Sequence, residues 1–161
     1  MRRVVITGMG AVTPLAVDLN TYWDRLLAGK SGIGPITQFD TTQFATKFGG
    51  EVKDFDPTVW IEKREAKTLD RFCQFGIVAS QLAKDDARLE VTPDNAERIG
   101  VYIGAGLGGV NTIERTMAAL IEKGPRRGIG PYFVPMIIVN MAPGLVSIRF
   151  GVKGPNFSHV S

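Results

Sequence analysis

VYIGAGLGG, residues 101–109, is the stretch on which the fold turns. Three β-prone residues run into Gly104-x-Gly106-x-x-Gly109, and a helical pattern begins near Asn111. Strand, glycine turn and helix are the outline of a dinucleotide site, where helix N-terminal amides cradle a pyrophosphate. Such a site also needs a second strand ending in Asp or Glu roughly 20 residues on, to hold the ribose. Here the helical pattern over 111–123 leads into KGPRRGIGPYFVP, which is neither strand-like nor acidic. The other candidate, Gly8-x-Gly10, lacks a third glycine, meets Pro14, and has no acidic strand end after it. A Gly-Lys-Ser/Thr phosphate loop is absent from the sequence as well. The glycines therefore read as backbone that approaches other backbone closely, or that leaves room for something else.

Outward from this stretch, apolar and helical patterns alternate. Val4, Val5, Ile6 and Thr7 form a continuous β-prone run, which suits a strand buried on both faces of a layered α/β fold. Asp18 or Asn20 can cap a helix bearing Tyr22, Trp23, Leu26 and Leu27, and Gly29 supplies a left-handed stop. Residues 31–57 are loop-rich, with short strands expected near 44–52. A long helical pattern covers 58–89, in which Leu69, Phe72, Cys73, Gly76, Ile77 and Ser80 share one face. Thr92-Pro93 fits an N-cap followed by proline at the first helical position. Residues 98–104 return to strand. Asn111-x-x-Glu114 approximates a capping box for a helix carrying Ile113, Met117, Leu120 and Ile121, which ends at Gly124-Pro125. RRGIGPYFVP reads as an ordered loop. Pro135 opens a very apolar helix in which Pro143 and Gly144 predict a kink or break. NFSHVS alternates as a final strand.

Composition bounds the function. The chain has 161 residues, the length of one domain or a compact part of one, with 44% apolar residues, 22% charged residues and a net charge of +3. That excess does not demand a nucleic-acid partner. One Cys and one His exclude a disulfide framework and a Cys/His zinc cluster, and fit a reducing cytoplasm. The apolar run at the N-terminus breaks at Gly8 and Gly10, too early for a signal peptide. No stretch reaches the roughly 18 apolar residues of a membrane span.

Single residues divide between structural and functional readings. Cys73 lies on the apolar helical face with no His near it in sequence, as a small core hydrophobe does. His159 shares a strand face with Phe157 and Ser161 and reads as a packed or interfacial histidine. Lys63, Lys67 and Arg71 recur at four-residue steps, with Arg64 beside them. Either they form an ordinary solvated face, as Glu62, Glu65 and Asp70 suggest, or they are a landing patch for an acidic partner. Arg126 and Arg127 could extend that patch.

Seven segments in order resemble the β-ketoacyl-acyl-carrier-protein synthases of type II. They are RRVVITGMGAVTPL, WDRLLAGKSGIGPITQFD, FATKFGGEVKDFDP, LDRFCQFGIVAS, ERIGVYIGAGLGGV, FVPMIIVNMAPG and GVKGPNFSHVS. The resemblance runs from residue 1 to 161. It implies a thiolase-like layered α-β-α-β-α fold, of which this chain is most of the first half, as the N-terminal part of one β-ketoacyl synthase domain. It implies a decarboxylating Claisen condensation. A Cys thiolate takes an acyl group from a pantetheine thioester, and the carbanion left when a malonyl thioester loses CO₂ attacks it. In the family, GPNFSHVS leads through one small residue to that Cys. The resemblance thus implies that the Cys, both catalytic His residues and the supporting Lys lie beyond Ser161, with no catalytic residue in this chain.

The remaining roles are also implied by the resemblance. Leu107 falls at the wall of the fatty-acyl tunnel, Phe133 falls where the dimer partner reaches towards the same tunnel, and Ile138 and Met136 line it. Lys63, Arg64 and Lys67 fall in the helix that docks acyl carrier protein, and Arg126 and Arg127 in a docking loop. Phe157 and His159 fall at a homodimer interface. Partners are acyl carrier protein and malonyl and acyl thioesters, with no nucleic acid and no membrane. No cofactor is implied, because substrates ride on the carrier's phosphopantetheine. Two alternatives stand beside the synthase. One is a chain-length-factor-like polyketide synthase subunit, which has Gln where the synthase has Cys. The other is a non-catalytic fragment that binds the carrier protein.

Overall fold

The computed structural model describes residues 3–160. They divide into two compact units, 3–56 with Gln81–Leu89, and Pro57–Ser80 with 90–160.

In the first unit, helix α1 (Leu19–Leu27) starts as its sequence predicts. The Asp18 carboxylate accepts the Thr21 amide, and Gly29 leaves the helix with φ +63°. The cap's carboxyl is held below its ordinary value, chiefly by the Thr21 amide. Strands β1 (Ile33–Pro35) and β2 (Phe48–Gly50) pair antiparallel, Ile33 opposite Gly50. The Glu51 carboxylate fastens the segment after β1, accepting from the Thr37 amide and hydroxyl and from the Gln38 amide. β2 lies where a strand is expected; β1 is not marked by any alternation. The predicted strand at 4–7 does not form. Val4 and Ile6 are 92% and 84% exposed, since no described strand supplies the ladder that would bury them.

In the second unit the predicted long helix is broken. A 3₁₀ turn at Pro57–Val59 precedes one helical turn, α2 (Lys63–Ala66), and α3 (Arg71–Asp86) follows as a separate helix. Side chains compete for the backbone at the break. The Thr68 hydroxyl donates to the Glu65 carbonyl, and the Gln74 amide donates to the carbonyls of Ala66 and Leu69. Thr92-Pro93 yields only a turn running into a 3₁₀ turn at Ala96–Arg98.

β3 (Val101–Gly104) and β4 (Asn156–His159) pair in parallel, Val101 opposite Asn156 and Gly104 opposite His159. α4 (Val110–Lys123) ends at Gly124, φ +72°. Asn111 lies inside it, so the expected capping box is not made, and Gly109 takes the cap position without a side-chain bond. The RRGIG segment contributes a helical turn, α5 (Pro125–Gly128). The apolar helix breaks earlier than expected. α6 (Phe133–Ile137) stops where Ile138 turns extended, and α7 (Met141–Phe150) begins after it. Pro143 therefore sits in the first turn of α7, where its missing N–H costs nothing.

The core of this unit joins α3 to α7 and β3. Cys73, Ile77 and Val78 are fully buried with Ala142 and Val146. Gly76 is the narrow point, where an added Cβ would meet Ala142 and Ile103 in ordinary contact. Asn156 ties β4 to α7 by donating to the Pro143 carbonyl at 2.9 Å.

Candidate functional site

The turn between β3 and α4 is set by backbone contact. A Cβ on Gly109 would lie 2.0 Å from the Met136 carbonyl oxygen, and one on Gly108 would lie 2.2 Å from that of Ile137. Gly108 also has φ +72°. The Gly109 amide donates to the Ile137 carbonyl at 3.3 Å and the Val110 amide to Gly108 at 3.0 Å. Amides that would face a phosphate in a dinucleotide site are thus spent on the turn itself and on the end of α6. The opening glycine pattern is a close-approach device.

Leu107 rides on the crest of this turn, 77% exposed. The turn abuts the end of α6, so Leu107 and Ile138 belong to two segments that touch through their backbones. Phe133 opens α6 and is half-buried, as is Met136. The described residues do not by themselves enclose Leu107.

Beneath the turn lies a residue that sequence reasoning misassigned. Asp70, expected on a solvated face, is buried. Its Oδ2 accepts from the Thr112 hydroxyl at 2.5 Å and its Oδ1 from the Phe72 amide at 3.4 Å. The signal available in sequence was the position of Asp70 between Leu69 and Phe72, at the start of an apolar helical face. Cys73 is nearby. Burial, and secondarily the Asp70 charge, push its thiol up to about 12. Such a thiol is protonated at neutral pH and is not a nucleophile, in agreement with its structural reading.

The basic residues do not form one helical stripe. Lys63 and Arg64 lie on α2, Lys67 ends it, and Arg71 starts α3 with its guanidinium 4.9 Å from the Phe75 ring centre. Lys63, Arg64, Lys67, Arg126 and Arg127 are all exposed and form no ion pair among the described residues. Glu65 points elsewhere, pairing with Arg149 at 3.2 Å.

On β4, Phe157 and His159 share an exposed face, with the His159 ring stacked 6.4 Å from Tyr102. Ser161, expected on that face, lies outside the described residues. The first unit holds a cavity of about 550 Å³ lined by Thr13, Asp18, Arg25, Glu51 and Lys53 among others. It contains none of the predicted site residues, and its two cations are already engaged. Arg25 donates to the Leu15 carbonyl, and Lys53 to that of Pro35. Among the described residues, no His/Cys/Asp/Glu group could hold a metal ion and no helix is long and apolar enough to cross a membrane.

The chain is 51% identical over 155 residues to a 3-oxoacyl-[acyl-carrier-protein] synthase 2 of Synechocystis, covering 96% of this chain but 37% of that protein. The chain thus spans under two fifths of the length of that relative. Among solved structures, the ishigamide ketosynthase/chain length factor matches 99% of this chain and 40% of its own, with TM-score 0.83 and 26% identity. AntDE:AntF, a type II PKS acyl-carrier protein in complex with its ketosynthase bound to the hexaketide, matches 96% of this chain and 40% of its own, with TM-score 0.73 and 26% identity. The α/β fold is that of the thiolase-like ketosynthases. Residues 1–161 match the Beta-ketoacyl synthase, N-terminal domain, throughout, and the chain belongs to that family.

Proposed function

We propose that this chain is the N-terminal part of a 3-oxoacyl-[acyl-carrier-protein] synthase of fatty-acid elongation, a cytoplasmic acyltransferase. The reaction joins an enzyme-bound acyl group to the carbanion released when malonyl-carrier protein loses CO₂. The observation that carries this reading is the match to the Synechocystis synthase at 51% identity along nearly the whole chain. The nucleophile and its histidine partners belong to the rest of the domain. The protonated, buried Cys73 supports that division. The chain-length-factor alternative rests on a likeness of 26% identity and is the weaker of the two.

This segment serves three tasks in that reaction. The exposed, unpaired Lys63, Arg64 and Lys67, with Arg126 and Arg127, dock the acidic acyl carrier protein. Leu107, Phe133 and Ile138 line the acyl tunnel. The open face of β4 with Phe157 and His159 is covered in a homodimer.

The test is condensation by the full-length gene product, read as CO₂ release and 3-oxoacyl-carrier protein formed from acyl and malonyl carrier proteins. No product from a folded protein would reject the synthase reading. Reversing charge at Lys63, Arg64 and Lys67 together is expected to weaken carrier binding by about 100-fold, near 1 kcal/mol for each desolvated contact, and less at high salt. Carrier affinity indifferent to all three reversals would reject the docking surface. Leu107→Phe is expected to shorten the acyl chains that the enzyme accepts.

A further inference from the structure

We propose that Asp70, acting through Thr112, is the positioning residue that fixes the Leu107 turn and thereby the acyl-chain selection made there. The inference rests on the reading of Leu107 as part of the tunnel wall.

A buried carboxylate is costly unless its oxygens are satisfied. Asp70 meets that demand with groups from two helices. Oδ1 faces the start of its own helix through the Phe72 amide, and Oδ2 takes the Thr112 hydroxyl from the first turn of α4 at 2.5 Å. α4 has no side-chain cap of its own, since Gly109 occupies that position. Asp70 therefore supplies, from 42 residues away, the negative charge that the start of α4 favours. A hydrogen bond to an ionised acceptor is about twice as strong as one between neutral groups.

The carboxylate also walls in Gly109. A Cβ there would stand 3.1 Å from Oδ2, and on another side it would stand 2.0 Å from the Met136 carbonyl oxygen. Gly109 is thus held between a buried charge and the end of α6, to which its amide is bonded. The other foot of the turn is held as well, because the Ala105 amide donates to the His159 carbonyl at 3.1 Å. Between the two feet, Gly106 has open space around it and Leu107 is exposed. Both feet are fixed and the crest is free. Loosening the Asp70 foot displaces the crest without altering any residue that meets substrate.

The experiment uses the full-length protein with Thr112→Val, Thr112→Ser, Asp70→Asn and, as reference, Leu107→Phe. Hydrogen exchange of amides 105–110 reads the turn directly. The ratio of kcat/KM on palmitoyl- and octanoyl-carrier protein reads selection. Thr112→Val and Asp70→Asn are expected to speed exchange and to change the ratio by about 10-fold, the scale of one methylene in a pocket. Thr112→Ser, which keeps the hydroxyl, restores both. A Thr112→Val enzyme that melts earlier but keeps wild-type exchange at 105–110 and the wild-type ratio overturns the proposal, since a merely structural bond would behave so. If Asp70→Asn does not fold, the Thr112 pair decides alone. A ratio that responds to Leu107→Phe but not to Thr112→Val overturns the positioning role while leaving the tunnel intact. An inactive wild type whose turn still loosens in Thr112→Val rejects the synthase reading and keeps the anchor.

Discussion

Residues 4–10, VVITGMG, and residues 101–106, VYIGAG, are nearly the same sentence in sequence, yet they fold differently. Each is a short apolar run ending in Gly-x-Gly. The second becomes β3, pairs in parallel with β4, and is joined by α7. The first forms no strand and leaves Val4 and Ile6 open. Close backbone approach nevertheless recurs at one glycine near each run, Gly8 within the first and Gly109 three residues past the second. A Cβ on Gly8 would lie 2.4 Å from the Ala87 nitrogen and 2.5 Å from the Ala83 oxygen, and the next amide, of Met9, donates to Asp86 at 2.8 Å. Gly109 is pressed against the Met136 carbonyl in the same manner. A glycine turn is defined by whatever backbone lies against it. A strand needs a partner elsewhere in the chain to take its amides and carbonyls. β-propensity alone cannot supply one.

The comparison is broken most directly at its shared feature. Gly109→Ala in the full-length protein is expected to lose about 3 kcal/mol or more, because the clash is with backbone on a turn bonded at both ends. Gly8→Ala is expected to lose less, about 1–3 kcal/mol, since the last turn of a helix can give way. Urea midpoints measure both. If Gly8→Ala proves the costlier, the two turns are not alike, and the N-terminal one is the more tightly held.

What could be read from sequence follows the same division. The Asp18 cap and the stops at Gly29 and Gly124 depend on residues close in sequence and are found, and β3 and β4 are found because each supplies the other's distant partner. The break between α2 and α3 was hidden, because the apolar period runs on through 67–70 while Thr68 and Gln74 take carbonyls from the backbone. In sequence Asp70 looks like a surface charge because it stands beside Arg71. Its partner, Thr112, is 42 residues away. The glycines around Leu107 read as close backbone approach or as room left open, and Gly108 and Gly109 prove the first while Gly106 shows the second, with the α6 carbonyls that press on them too distant in sequence to name. Pro143 marked no kink, because the break at Ile138 had already put it in a first helical turn.

Two smaller effects separate the sealed side of the second unit from its rim. On the sealed side, Cys73 has its thiol raised from an ordinary 9.0 to about 12. The folded value lies above the unfolded one, so the protonated thiol's contribution is complete below pH 9 and is lost as pH rises towards 12. Stability should therefore fall over that window, and iodoacetamide at pH 8 should label Cys73 only on unfolding. Prompt labelling of the folded protein would mean that α3 is not sealed. At the rim, Arg149 meets Glu65 at 3.2 Å and donates to the Trp60 carbonyl at 2.5 Å, with both charged side chains partly exposed. Arg149→Ala is expected to cost about 1 kcal/mol, the upper range for such a pair.

The smallest effect is also the sharpest discriminator. Gly106 shares the motif with Gly109, and any reading of the glycines as a phosphate cradle requires both. Yet a Cβ at Gly106 would meet nothing within 4 Å, and its φ is not in the left-handed region. Gly106→Ala is expected to change stability by less than about 0.5 kcal/mol, with any gain coming from the narrowed unfolded chain. Its consequence should lie in function, because the added methyl narrows the backbone freedom of the open crest next to Leu107. Thermal melting of Gly106→Ala beside Gly109→Ala measures the contrast. A destabilisation equal to that of Gly109→Ala would mean that the crest is packed as tightly as the feet, and that Leu107 has no room to move.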